Sequence, residues 1–184
     1  MDKNVAYHMA RNLMDKHGLG SIPLVYDRSK SRMGITYWRQ VEGVWLTTKI
    51  GLSSYWTEAR TPAEVEATVL HEIAHALTPG HKHDAVWRAK ARSLGISSDR
   101  CASPSAEAKA KMETLAPAAW KGECPQGHSH GMHRKPVRVQ LCGLCKGVHT
   151  PKRVIVWSNN GRVMPPESFG PKYRADMTET GMCT

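Results

Sequence analysis

The sequence predicts an α+β fold in two parts, and three observations lead to that expectation. A capped helix over 61–77 carries an apolar stripe and two histidines four residues apart. Short β-like runs precede it at 22–26, 33–39 and 44–52. Beyond a boundary marked by Pro117, a segment rich in Cys and His reads as a small β unit held by a metal. The expected divisions are 1–117 for the first domain and 118–157 for the second. An irregular tail is expected over 158–184, where Gly, Pro and mixed charge dominate.

Each element has its own warrant. Residues 4–17 form an amphipathic pattern, with Val5, Met9, Leu13 and Met14 on one side and Gly18 or Gly20 as the stop. The run 22–26 has Pro23 near its start, which suits a sheet edge. Residues 29–32 are a polar turn. The runs 33–39 and 44–52 flank Glu42-Gly43, a turn pair, so a small antiparallel sheet is expected. Residues 53–60 connect to Thr61. That residue opens the next helix with a capping box to Glu64 and with Pro62 at the first helical position. Val65, Val69, Ile73 and Leu77 are its expected buried stripe. Residues 83–94 form another helix with Trp87, Ala91 and Leu94 inward, ended by Gly95. Residues 103–116 form one more, opened by Ser103 or Ser105 beside Pro104. Further on, 137–141 and 154–157 are β-like and flank a Cys-Gly-Leu-Cys turn.

Composition narrows the function classes. The chain has 184 residues, which suits one domain with an appendage or two small ones. No apolar run is long enough to span a bilayer. The N-terminus is charged throughout and has no apolar core of a secretion signal. A soluble, cytoplasmic (intracellular) chain without a membrane partner is therefore expected, and nothing demands more than a monomer. The formal charge of +10 favours a polyanionic partner, most often nucleic acid. The cations concentrate after the 61–77 helix. Five cysteines, an odd number, point to metal rather than to a disulfide framework. Cys183 is expected to be a free thiol.

Two groups of residues carry chemistry. His71 and His75 stand one helical turn apart, so their imidazoles can meet at one point, with Glu72 beside them. This H-E-x-x-H pattern is the zinc-hydrolase helix, both histidines being ligands and the glutamate a general base. A catalytic zinc has three protein ligands and one open position. The third ligand could be His81, His83 or a later acid, Glu107 or Glu113. His81 has the metzincin spacing, but Thr78 stands where that pattern needs Gly. The second group is Cys124, His128, Cys142 and Cys145, two ligand pairs that can close a tetrahedral structural zinc site. His130 and His133 are rivals of His128. Around them lie Arg134, Lys135, Arg138, Lys152 and Arg153, candidate contacts to nucleic-acid phosphates.

His71-Glu72-x-x-His75, followed by a turn and His83-Asp84-Ala85-Val86-Trp87, resembles the SprT-like metalloprotease family. Asp84 and Trp87 stand where many members have Gly and Phe. The strand leading to the zinc helix, and the order of protease core then zinc ribbon, are also similar, so the likeness covers roughly 4–157. The resemblance implies a zincin-like metalloprotease core followed by a small β zinc ribbon. It also implies His83 as third ligand, with His81 the alternate, and two Zn2+, one catalytic and one structural. The implied function is a zinc-dependent metalloendopeptidase acting on DNA-associated proteins. The competing reading is a catalytically idle, zinc-containing nucleic-acid-binding protein. The intact Glu72 counts against it, since a pure metal scaffold needs no base there.

Overall fold

The computed structural model describes residues 1–97 and 103–180. Cys101 and Cys183, with the free-thiol expectation for the latter, lie outside the described residues. The chain divides into two units, Met1–Ala116 and Pro117–Thr184. Among the described residues, no helix is long and apolar enough to cross a membrane.

The first unit begins with α1 (Lys3–Lys16), capped by Asp2, whose carboxylate accepts from the amides of Asn4 and Val5. Its buried face is Ala6, Ala10 and Met14, while Val5 is 57% exposed. The expected stripe through Val5 is therefore rotated by about one position. Alanine, with no side chain beyond Cβ, allows α1 to approach the helix it packs on, and Met9 and Leu13 flank that contact.

Three strands follow: β1 (Leu24–Asp27), β2 (Gly34–Val41) and β3 (Val44–Ser53). The sheet order is β1-β3-β2. β2 and β3 form the expected antiparallel hairpin, closed by Glu42 and Gly43 with φ of 49° and 82°. β1, however, pairs parallel to β3, so the sheet is mixed rather than antiparallel. The loop after β1 carries the chain to the far edge, and the hairpin then returns β3 to the centre in the direction of β1. β2 is thus an edge strand, on the side opposite β1.

The connection at 53–60 contains a short helix, α2 (Ser54–Ala59), capped by the Ser53 hydroxyl. Then comes α3 (Pro62–Leu77), with Thr61 and Glu64 forming the reciprocal capping box. Val65, Val69 and Ile73 are buried against Ile50 and Leu52 of β3 and Met14 of α1, while Leu77 is only partly covered. Thr47 of β3 donates to the Ala76 carbonyl at 2.9 Å, pinning the far end of α3 to the sheet. α4 (Ala85–Ser93), capped by Asp84, buries Trp87 and Ala91 against Ala74. α5 (Ala106–Leu115) starts from a Ser105 cap and buries Met112 with Ala59.

The second unit is a four-stranded sheet of order β5-β4-β6-β7: β4 (Trp120–Glu123), β5 (Ser129–Met132), β6 (Val156–Asn159) and β7 (Arg162–Val163). The run 137–141 is not a strand; it makes a single bridge, Leu141 to Val154. An acid holds it instead, since Asp176 accepts from the Val139 amide at 3.0 Å. The tail is also folded, contrary to the expectation of irregularity. It forms β7 and, after a 3-10 turn at Pro166–Ser168, α6 (Pro171–Glu179). Phe169, Tyr173 and Met177 recur every four residues and are buried with Trp157, Cys124, Cys142 and Cys145. Tyr173 and Met177 lie one turn apart on α6 and Phe169 stands just before its start, a pattern hidden in the sequence by the surrounding Gly, Pro and charge.

Candidate metal centres and active site

The first cluster is built on α3 and on the turn after it. His71 and His75 lie one turn apart on α3, and the helix ends at Thr78, whose hydroxyl donates to the Ala74 carbonyl at 2.7 Å. Gly80, with φ +85°, turns the chain; a Cβ there would come within 2.5 Å of the Trp45 ring, so this close approach needs glycine. The turn returns His83 to the helix just before the Asp84 cap of α4. The Nε2 atoms of His71 and His83 are 3.1 Å apart, as are those of His75 and His83. Ligand nitrogens on a tetrahedral zinc, at ~2.05 Å from the metal, stand ~3.3 Å apart. The donor set and its spacing therefore fit such an ion.

His81 is not in this cluster. Its Nδ1 pairs with Asp84 Oδ2 at 2.9 Å, while Asp84 Oδ1 accepts from the amides of Val86 and Trp87. Asp84 thus ties the turn to the first turn of α4. The Trp87 indole, fully buried, lies against all three imidazoles, with ring centroids 4.4–5.0 Å away. Burial, then the neighbouring histidines, lowers His71 to about 3; burial and His83 lower His75 to about 4. Both rings are neutral at pH 7, the form that binds metal. Glu107 and Glu113, the later acids, are not among these ligands.

Glu72 is 4% exposed and lines the same pocket, of about 250 Å3, as the three histidines. The other wall is β2, through Gly34, Thr36 and Trp38. Burial pushes the Glu72 carboxyl up to about 7, against smaller downward pulls from the Thr36 hydroxyl and the Arg32 guanidinium. Gly34, Thr36 and Trp38 were not singled out as site residues by the sequence reading. Their two-residue spacing on one strand face was visible, but nothing local said that this face would border α3.

The second cluster gathers Cys124, His128, Cys142 and Cys145. Cys124 Sγ lies 3.7 Å from Cys145 Sγ, and His128 Nδ1 lies 3.2, 3.5 and 3.7 Å from the sulfurs of Cys145, Cys124 and Cys142. Sulfurs on a tetrahedral zinc, at ~2.3 Å from it, would stand ~3.8 Å apart. All three thiols are buried. His130 and His133 are outside the cluster. Among the basic residues nearby, Arg138 Nη1 pairs with Asp176 Oδ1 at 2.7 Å and Lys135 Nζ donates to the Ser168 carbonyl at 2.6 Å. Arg153 donates from Nε and Nη2 to the Cys142 carbonyl, at 3.3 and 3.2 Å. Those three side chains brace the unit. Arg134 and Lys152 are exposed.

Neither the curated proteins nor the solved structures gave a match to this chain. The model of the SprT-like family matches residues 8–109, more than half of the chain, a stretch that contains α3, the turn and α4. By that match, the chain belongs to the SprT-like family.

Proposed function

We propose that the protein is a zinc-dependent metalloendopeptidase of the SprT-like type, cleaving proteins associated with DNA. One observation carries the hydrolase reading. Three imidazole Nε2 atoms converge within metal-ligand spacing in a pocket that also holds one buried carboxyl, Glu72. His71, His75 and His83 are the proposed ligands of a catalytic zinc, leaving the side towards β2 open to substrate. A zinc ion held there supplies Lewis acidity to a peptide carbonyl and to a water. Glu72 accepts a proton from that water and passes it to the departing amine. Its raised pKa suits both steps, because a base poised near neutrality takes a proton and also gives it up. Trp87 keeps water away from the far side of the imidazoles and fixes their rotamers.

Cys124, His128, Cys142 and Cys145 are the proposed ligands of a second, structural zinc. Four protein donors leave no position for a substrate. The DNA element of the proposal rests on the charge of +10 and on exposed cations of the second unit, Arg134 and Lys152 foremost.

The test compares wild type with Glu72→Gln at matched zinc content, on a basic protein substrate, with and without single-stranded DNA. Wild-type cleavage should fall by about 10²–10⁴-fold in the variant, the usual contribution of a general base. Cleavage dependent on DNA supports the full proposal, and cleavage without it keeps the hydrolase and removes the partner. Two bound zincs and DNA binding without any cleavage would leave a nucleic-acid-binding protein.

A further inference from the structure

Edge strand β2 meets Glu72 at two points. The Thr36 hydroxyl lies 2.8 Å from Glu72 Oε2 and 2.9 Å from the Glu72 main-chain carbonyl. At Gly34 an added Cβ would stand 2.7 Å from both Glu72 Cγ and Glu72 Oε1. The carboxyl is thus gripped on one oxygen by Thr36, while the other lies against the bare backbone of Gly34. Both residues face α3 from the same strand, two positions apart, as strand periodicity requires. Among the described residues, no other side chain hydrogen-bonds to the Glu72 carboxyl.

We propose that Thr36 is the positioning residue of Glu72, a role that rests on the hydrolase reading above. A carboxylate on a flexible side chain has two χ angles and a terminal torsion to restrain before it can take a proton from one fixed direction. Burial alone limits where it goes but not how its plane is turned. The Thr36 hydroxyl turns it, and does so from a rigid strand rather than from a loop. The hydroxyl has one proton and two acceptors within reach. Towards a charged carboxylate it donates to Oε2. When the proton from the water is on Oε1, Oε2 remains an acceptor and the hydroxyl keeps its bond to it. The carboxyl therefore keeps one position before and after the proton moves. Gly34 supplies the space, since any side chain there would displace the group from the opposite side.

The experiment measures kcat and KM for proteolysis in wild type, Thr36→Val, Thr36→Ser and Gly34→Ala, with zinc content and cooperative unfolding recorded for each. Valine keeps the shape and the strand preference but removes the hydroxyl. Thr36→Val is expected to lose about tenfold to hundredfold in kcat, the usual effect of a misplaced reacting group, with KM nearly unchanged and zinc retained. Thr36→Ser, which restores the hydroxyl without the methyl, should recover most of the rate. Gly34→Ala should resemble Thr36→Val. Equal kcat in Thr36→Val and wild type would overturn the proposal, as would equal loss in the valine and serine variants. Loss of zinc or of cooperative unfolding in Thr36→Val would assign the residue to the fold and overturn it too. A wild type that cleaves nothing removes the hydrolase reading itself, a result distinct from an active wild type matched by Thr36→Val.

Discussion

The two metal-ligand clusters differ in what surrounds them. In the first unit the histidines stand beside the main core and pack on Trp87 of a smaller one. Met14, Ile50, Leu52, Val65, Val69 and Ile73 form the main core from α1, β3 and α3. In the second unit Cys124, Cys142 and Cys145 are members of the core, together with Val154, Trp157, Phe169 and Tyr173. The first arrangement can stand with its ligands empty; the second has its ligands where apolar side chains would otherwise meet. The same contrast appears in donor number: three imidazoles facing an open pocket, against three thiols and one imidazole facing one another. Under the proposed function, the site for chemistry is added to a finished fold, whereas the structural metal replaces part of one.

The largest effect that would break this comparison is metal removal. Structural zinc in small domains contributes on the order of 10 kcal/mol to folding. A chelator should therefore abolish amide protection across residues 120–159 while residues 62–77 stay protected, as followed by hydrogen exchange. Equal protection in both stretches after chelation would show that the second unit has a sufficient core of its own.

A smaller effect sharpens the account of the first unit. Glu72 has a folded-state pKa raised from 4.5 to about 7 by burial. A carboxyl raised in this way favours folding in its protonated form. Its penalty is absent below about pH 4.5, grows between 4.5 and 7, and is complete above 7. In the metal-free protein, Glu72→Gln should therefore raise unfolding free energy at pH 8 by up to about 3 kcal/mol, the equivalent of the pKa shift. Near pH 4 the two proteins should coincide. His71 and His75, depressed below 6.5, act in the opposite sense and lose stability as pH falls through 6.5 towards about 3–4. They do so equally in both proteins, so the difference curve isolates Glu72. A pH-independent difference between wild type and variant would refute the assignment of the cost to that carboxyl.

How far each unit could be read from the sequence follows the same division. Helix α3 was legible because its signals are local: Thr61 with Glu64 at the start, and Val65, Val69 and Ile73 at helical spacing. The β2–β3 turn was legible for the same reason, since Glu42-Gly43 takes positive φ at both positions. The parallel pairing of β1 was not, because strand direction depends on where a loop carries the chain. The buried face of α1 was misjudged at Val5, since the choice of alanines there depends on how near α3 approaches. Thr36 and Gly34 were invisible as site residues, being 36 and 38 positions from Glu72. In the second unit the ligand spacings were plain, yet the helix that completes its core was concealed. Phe169, Tyr173 and Met177 lie among Pro165, Pro166, Pro171 and several charges. Those prolines start helical turns rather than prevent them, as the first helical position tolerates a missing N–H.

The smallest effect separates two kinds of cation in the second unit. Arg138, though exposed, is paired with Asp176, which also holds the Val139 amide, so its charge is already partly balanced at the surface. Arg134 and Lys152 are exposed and available to a phosphate backbone. If DNA binds this unit, Arg134→Ala and Lys152→Ala should each reduce the slope of log K against log salt by about 1, since each removes one released counterion. Arg138→Ala should leave that slope unchanged and instead loosen the contact between α6 and the 137–141 segment, read as faster exchange of the Val139 amide. A reduced slope for Arg138→Ala with an unchanged Val139 amide would mean that the Asp176 pair opens to DNA. The cations of this unit would then form one interface rather than a brace and an interface side by side.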